Sequence, residues 1–316
     1  MDFRSPFEPF FSRKAVVTLD GGLATELEKA GHDLNNVLWS AKLLESNPAA
    51  IRDVHLSYLQ AGSQCITTAS YQASVDGFVK AGYSSAVGTG LIEKSVDLAK
   101  EARDIFSEIR RKQQCPVEIS PLIAGSIGPY AAFLADGSEY NGQYPIQVDG
   151  LYRFHMKQWN ILTRLQLDLV AIETIPNRSE AEAFRRIISE FPQVPTWISF
   201  ACRNGQEIND GTLICDCASL FNDLPNLVAI GVNCTAPQFV SSLIREIRSV
   251  CPDKRIVVYP NSGETYNPKT KDWIGDPEAV KYLEMVRNWY RDGASLIGGC
   301  CRTGPDHIRG ISAMKV

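Results

Sequence analysis

Eight short apolar runs rich in β-branched residues recur along the chain, with helix-patterned stretches between them, and this alternation narrows the fold more than any other property of the sequence. The runs are Ala15 to Leu19, Cys65 to Thr68, Leu122 to Gly125, Leu169 to Ile172, Thr196 to Phe200, Val228 to Val232, Ile256 to Tyr259 and Ser295 to Ile297. Most are apolar at consecutive positions, the pattern of strands buried on both faces. Pro48 to Ala61 carries Ile51, Val54, His55, Tyr58 and Leu59 on one stripe, with Pro just inside its start and Gly62 just past its end. Similar stretches run through Ala86 to Ile109, Leu151 to Leu165, Ser179 to Ile188, Leu213 to Phe221, Pro237 to Val250 and Pro277 to Tyr290, with a short one from Pro305. The pattern predicts an α/β fold, a (β/α)8 barrel formed by residues 1–316 as a single domain. A doubly wound sheet is the alternative, and no Gly-x-Gly-x-x-Gly turn follows the first run to support it.

Phe3, Phe7, Phe10 and Phe11 suggest a short apolar cap over one end of the barrel, although Pro6 and Pro9 limit any helix there. The irregular stretch from Gly128 to Gly150, with Tyr130, Asp136, Glu139 and Tyr140, suits a lid over the catalytic face. A second polar loop, Ser262 to Gly275, contains Tyr266 and Trp273. A net charge of -4 with no basic block argues against nucleic acid or an anionic membrane as partner. The first residues lack the features of a signal peptide, and no run approaches the ~20 apolar residues that span a bilayer. Nine cysteines, an odd number, then predict reduced thiols in the cytoplasm.

In such a barrel, residues just past the strand ends converge on one mouth. The expected list is Asp20-Gly21-Gly22, Thr68, Glu173, Asn233-Cys234, Asn261 and Cys300-Cys301. Three cysteines at strand ends point to a zinc site with one coordination position left for substrate. A sulfur-rich shell makes zinc a poor electrophile and keeps a bound thiolate nucleophilic, so the natural substrate is a thiol. Asp20 and Glu173, the expected catalytic carboxylates, could hold an ammonium, and the Gly21-Gly22 amides could meet a carboxylate. A thiol-bearing amino acid satisfies all three elements.

Each feature also has a plainer reading. A Cys-Cys pair is more often packing than a ligand pair, until a third cysteine arrives at another strand end. Asp20 could be a turn residue and Glu173 one half of an ion pair. Cys202, just past the fifth run, is the rival ligand, and with it the site becomes a closed structural zinc centre in a non-catalytic barrel. A zinc-free redox pair, Cys300 with Cys301, would demand a strained ring. His32, His55, His155 and His307 lie in predicted loops or helices and read as surface or packing residues.

Together the motifs resemble the homocysteine S-methyltransferase family. They are Leu19-Asp20-Gly21-Gly22-Leu23-Ala24-Thr25-Glu26, Thr68-Ala69-Ser70-Tyr71-Gln72-Ala73, Gly125-Ser126-Ile127-Gly128-Pro129-Tyr130, Glu173-Thr174-Ile175-Pro176-Asn177, Gly231-Val232-Asn233-Cys234, Tyr259-Pro260-Asn261-Ser262-Gly263-Glu264 and Ile297-Gly298-Gly299-Cys300-Cys301-Arg302-Thr303. The resemblance implies that Cys234, Cys300 and Cys301 bind zinc and that homocysteine joins through sulfur. It places the amino and carboxylate groups of homocysteine around Asp20, Gly21, Gly22, Thr68 and Glu173, with Asn233 and Asn261 lining the metal pocket. It further implies a sulfonium methyl donor, S-methylmethionine ahead of S-adenosylmethionine, held by an aromatic face such as Trp39, Tyr71 or Tyr130. A selenocysteine or selenohomocysteine acceptor is the alternative within the family, and a monomer or weak homo-oligomer is expected.

Overall fold

In the computed structural model, which describes residues 4–34, 38–263, 265–267, 272–274 and 279–314, eight parallel strands form one sheet curled into a nearly closed barrel. In chain order the strands are β1 (Val17–Thr18), β2 (Cys65–Thr67), β3 (Leu122–Ile127), β4 (Leu169–Ile175), β5 (Thr196–Phe200), β6 (Leu227–Asn233), β7 (Arg255–Tyr259), the hairpin pair β8 (Thr265–Asn267) and β9 (Asp272–Ile274), and β10 (Ala294–Ile297). The sheet runs β1-β10-β7-β6-β5-β4-β3-β2. Its two end strands meet at a seam stitched largely by side chains. Gln64 N–H donates to Thr18 O at 2.7 Å, and Gln64 Oε1 accepts from Thr18 N–H at 3.0 Å. Ser63 Oγ donates to Leu19 O at 3.1 Å. The expected (β/α)8 barrel is the observed fold, and the doubly wound sheet is excluded.

The helix at Pro48–Ala61 has its predicted bounds because Asn47 caps its first turn and Gly62 leaves it in the left-handed region. Two apolar layers result. One lies between the sheet and the helices, and the other fills the barrel with Val17, Leu19, Cys65, Leu169, Trp197, Val257 and Leu296. Phe7 and Phe10 join this inner layer, with the Phe7 ring stacked 6.3 Å from Trp197. The predicted cap is therefore a plug at the end opposite the strand C-termini, and a one-turn helix, Glu8–Phe11, carries it despite the prolines. Phe3 lies outside the described residues.

Three strands outrun their predicted limits, β3 among them, which continues past Gly125 through Ser126 to Ile127. β4 continues through Glu173 to Ile175 and β6 through Asn233, because a backbone ladder tolerates polar side chains where they turn into the mouth. Between β4 and β5 the register slips, with Ile172 opposite Ile198 and Ile175 opposite Phe200, which inserts one extra residue at Glu173-Thr174. Such a bulge re-aims a side chain.

The stretch after β3, expected to be irregular, holds a short helix, Tyr130–Leu134, and a 3-10 turn, Ser138–Tyr140. Buried Glu180 anchors it, accepting from Tyr130 N–H at 2.6 Å and from the Tyr144 hydroxyl, with His155 Nε2 2.6 Å away. Asn177 Nδ2 donates to Gly142 O, and Asn209 Nδ2 to Glu139 O. The polar loop after β7 pairs Tyr266 with Trp273 in the β8–β9 hairpin. Among the described residues, no helix is long and apolar enough to cross a membrane.

Candidate metal centre

Cys234 follows the last residue of β6 in the left-handed region, at φ 48°. Cys300 and Cys301 follow β10 in a turn built around Arg302, also left-handed at φ 67°. Thr303 closes that turn by donating its N–H and hydroxyl to Cys300 O, at 3.2 and 2.6 Å. The turn explains how adjacent cysteines reach one point. Cys234 Sγ lies 3.7 Å from Cys301 Sγ and 2.8 Å from Cys300 Sγ, and the Cys300 and Cys301 sulfurs are 3.9 Å apart. Among the described residues these three form the one group of potential metal ligands, all within 4.8 Å of one another. Hydrogen bonds from Cys234 and Cys300 hold the Cys301 thiol well below its ordinary value.

The donor set fits zinc. With Zn–S near 2.3 Å, tetrahedral geometry sets sulfurs about 3.8 Å apart. Two of the three separations already match, and the third has to widen by about 1 Å. Cys202, the expected rival, stands outside the group; it is buried, and burial pushes its thiol up. A closed four-cysteine site is not assembled among the described residues.

Asp20 and Glu173 are both 8% exposed. Burial pushes the Asp20 carboxyl up to about 7, against hydrogen bonds that Thr67 donates to Oδ2 from its N–H at 2.8 Å and its hydroxyl at 3.1 Å. Burial pushes Glu173 higher, to about 8; nearby Ser126 and Tyr259 hydroxyls oppose this and Asp20 adds to it. Glu173 Oε1 and Asn261 Oδ1 are buried without a hydrogen-bond partner. Buried polar atoms rarely stay unpaired, and both oxygens remain open to a donor.

Other expected site residues are engaged by the protein itself. The Thr68 hydroxyl accepts from Ser126 N–H at 3.0 Å and contacts Ser70 Oγ at 2.6 Å. Asn233 makes its hydrogen bonds to Thr174 and Ser199. Gly22 N–H donates to Thr303 O at 2.9 Å, whereas Gly21 N–H has no acceptor among the described residues. The glycines have a packing duty that sequence reasoning missed. A Cβ on Gly22 would sit 2.6 Å from Cys300 O and 2.7 Å from Thr25 Oγ1. Gly22→Ala is therefore expected to cost roughly 1–3 kcal/mol of stability, the usual price of overpacking, and to weaken metal retention by shifting the cysteine turn. Chemical denaturation and metal analysis after dialysis check both effects.

Of the aromatic candidates, the Tyr130 ring packs among Phe133, Tyr144 and Phe154, with Asp76 and Glu180 as its charged neighbours. The Tyr71 hydroxyl is raised by burial, then by the nearby charges of Glu139 and Cys234. The Trp39 side chain lies outside the described residues, as does Glu264. Glu139 was expected in the lid and not in the site; burial raises its carboxyl and Cys301 raises it further. His155 is paired with Glu180 and His307 Nδ1 accepts from Gly304 N–H, while His55 is buried and held down to about 4 by that burial.

Comparison with known proteins gives the same picture over the full length. The chain is 45% identical to the homocysteine S-methyltransferase YbgG of Bacillus subtilis over 309 residues, covering 98% of this chain and 97% of that one. It is 43% identical to a selenocysteine methyltransferase of Astragalus bisulcatus, covering 95% and 91%. The crystal structure of the homocysteine methyltransferase MmuM from Escherichia coli, in its metallated form, superposes with a TM-score of 0.86 at 38% identity, covering 98% and 99%. Residues 17–314 match the family described as homocysteine S-methyltransferase, and the chain belongs to that family.

Proposed function

We propose that this protein transfers a methyl group from a sulfonium donor, S-methylmethionine ahead of S-adenosylmethionine, to the thiol of homocysteine, with zinc held by Cys234, Cys300 and Cys301. The observation that carries this reading is the cluster of three thiols within 4.8 Å, in a barrel mouth that also holds the buried Glu173 carboxylate with its Oε1 unpartnered. When bound there, zinc supplies ionisation of an incoming thiol at neutral pH.

The chain's own residues do the rest. Glu173 and Asp20 receive the homocysteine ammonium, and Glu173 Oε1 and Asn261 Oδ1 gain the donors they lack. Gly21 N–H faces the substrate carboxylate, and Thr68 and Asn233 support the pocket wall from behind. Of the described aromatic residues, Tyr71 is the one whose hydroxyl feels both Cys234 and Cys300, and we assign it to the donor sulfonium. No general base is needed for the transfer itself, so the protein chiefly aligns nucleophile, methyl carbon and leaving sulfur. Unpaired thiols at the centre of the site suit a reducing, cytoplasmic setting.

The decisive assay supplies homocysteine with each donor to the zinc-loaded protein and follows methionine. Faster turnover with S-methylmethionine is expected, and absence of methionine with either donor would refute the reading. The likeness to a selenocysteine methyltransferase supports a second acceptor, so selenocysteine belongs in the same assay; homocysteine is expected to give the larger kcat/KM.

A further inference from the structure

The Asn233 carboxamide is the hub of a buried hydrogen-bonded chain, and its own orientation is fixed. Thr174 N–H can only donate, so the Asn233 atom 2.8 Å from it is Oδ1, and Nδ2 donates to Thr174 Oγ1 at 2.7 Å. Ser199 Oγ, 2.9 Å from the same Oδ1, must donate to it. The Tyr259 hydroxyl lies 2.5 Å from Ser199 Oγ, and Trp197 Nε1 donates to the Tyr259 oxygen at 3.1 Å. Trp197 and Ser199 are 0% exposed, Asn233 1% and Tyr259 5%.

Both residues at the far end of this chain are strained. Thr174 stands at φ 64° and Cys234 at φ 48°, a region non-glycine residues rarely enter. Thr174 directly follows Glu173 in the β4 bulge, and Cys234 directly follows Asn233.

We propose that Asn233 is a positioning residue. Its carboxamide holds Thr174 in the left-handed turn that aims Glu173, and the same anchor fixes the residue from which Cys234 turns toward the other sulfurs. One side chain thereby registers a substrate-binding carboxylate and a metal-binding thiol on a common point. Trp197, Tyr259 and Ser199 orient the carboxamide. This inference rests on the thiol methyl-transfer reading above, and it replaces the expected substrate contact of Asn233 with an indirect role.

In Asn233→Ala, zinc affinity is expected to fall and the homocysteine KM to rise together, each by about 10- to 100-fold. Adding Thr174→Gly separates the two effects. Glycine enters the left-handed region without a side-chain anchor, so the double variant, assayed at saturating zinc, regains most of the homocysteine KM while zinc affinity stays low. A residue that touched homocysteine directly would show no such rescue, and that result overturns the proposal. So does a structure of Asn233→Ala in which Thr174 keeps its φ. If Asn233→Ala does not fold, Ser199→Ala is expected to shift both quantities the same way by a smaller factor, and unchanged values there overturn the proposal. A wild-type protein that neither binds zinc nor methylates homocysteine would instead refute the underlying function.

Discussion

Cys300→Ala is expected to strip zinc from the protein and to lower methyl transfer by more than a thousandfold, with the barrel still folded. A free thiol with a pKa near 8.5 is only a few per cent ionised at pH 7, so losing ionisation alone costs about 30-fold. The remainder comes from losing the fixed position of the sulfur nucleophile, an alignment effect that reaches many orders of magnitude in well-ordered sites. Cys300 belongs to neither of the two apolar layers that carry the fold, which is why folding should survive. Metal content after dialysis, far-UV circular dichroism and single-turnover rates measure the three parts. Cys202→Ala is the control, expected to keep its zinc. A Cys300→Ala protein that is metal-replete and active would remove the thiol cluster from the mechanism.

Glu173→Gln is expected to raise the homocysteine KM about 10- to 150-fold, since a hydrogen bond to a charged group contributes about 1.5–3 kcal/mol. Zinc content should be unchanged. The same variant should be more stable than the wild type when no ligand is bound, in a pH-dependent way. In the unfolded chain this carboxyl titrates near 4.5, and burial in the fold pushes it to about 8. Between those values the folded protein holds a proton that the unfolded chain has released, so wild-type stability falls as pH rises through this window. Glutamine has nothing to titrate. Its advantage is therefore absent below about pH 4.5 and complete above about pH 8. Asp20 repels the Glu173 carboxylate, so removing that charge also eases Asp20 ionisation, which adds to the advantage at high pH. Denaturant midpoints at pH 4.5 and 8.5 test this, and a difference that does not change with pH would show that Glu173 is not held uncharged.

Much of the architecture was legible because it rests on local pattern. Continuous apolar runs, a proline opening one helix and a glycine closing it, and the spacing of the cysteines at strand ends are all properties of neighbouring residues. What stayed hidden depends on residues far apart in the chain. The bulge at Glu173-Thr174 is a mismatch between two strands, and the chain through Trp197, Ser199, Asn233 and Tyr259 joins positions up to 62 residues apart. Strand limits drawn at the first polar residue fell short at Glu173 and Asn233, where polarity marks the site and not the end of the ladder. The glycine pair was read as a carboxylate clamp. Gly22 also leaves room for the cysteine turn, a requirement set by Cys300 and Thr25.

The seam between β1 and β2 has a mechanical meaning. A ring of staves bound by continuous hoops everywhere except at one joint yields first at that joint, and here the joint runs directly beneath Asp20, which is fastened across it to Thr67. Under the proposed function an amino acid gripped by Asp20 sits on the clasp of the barrel, and seating the guest is expected to tighten the container.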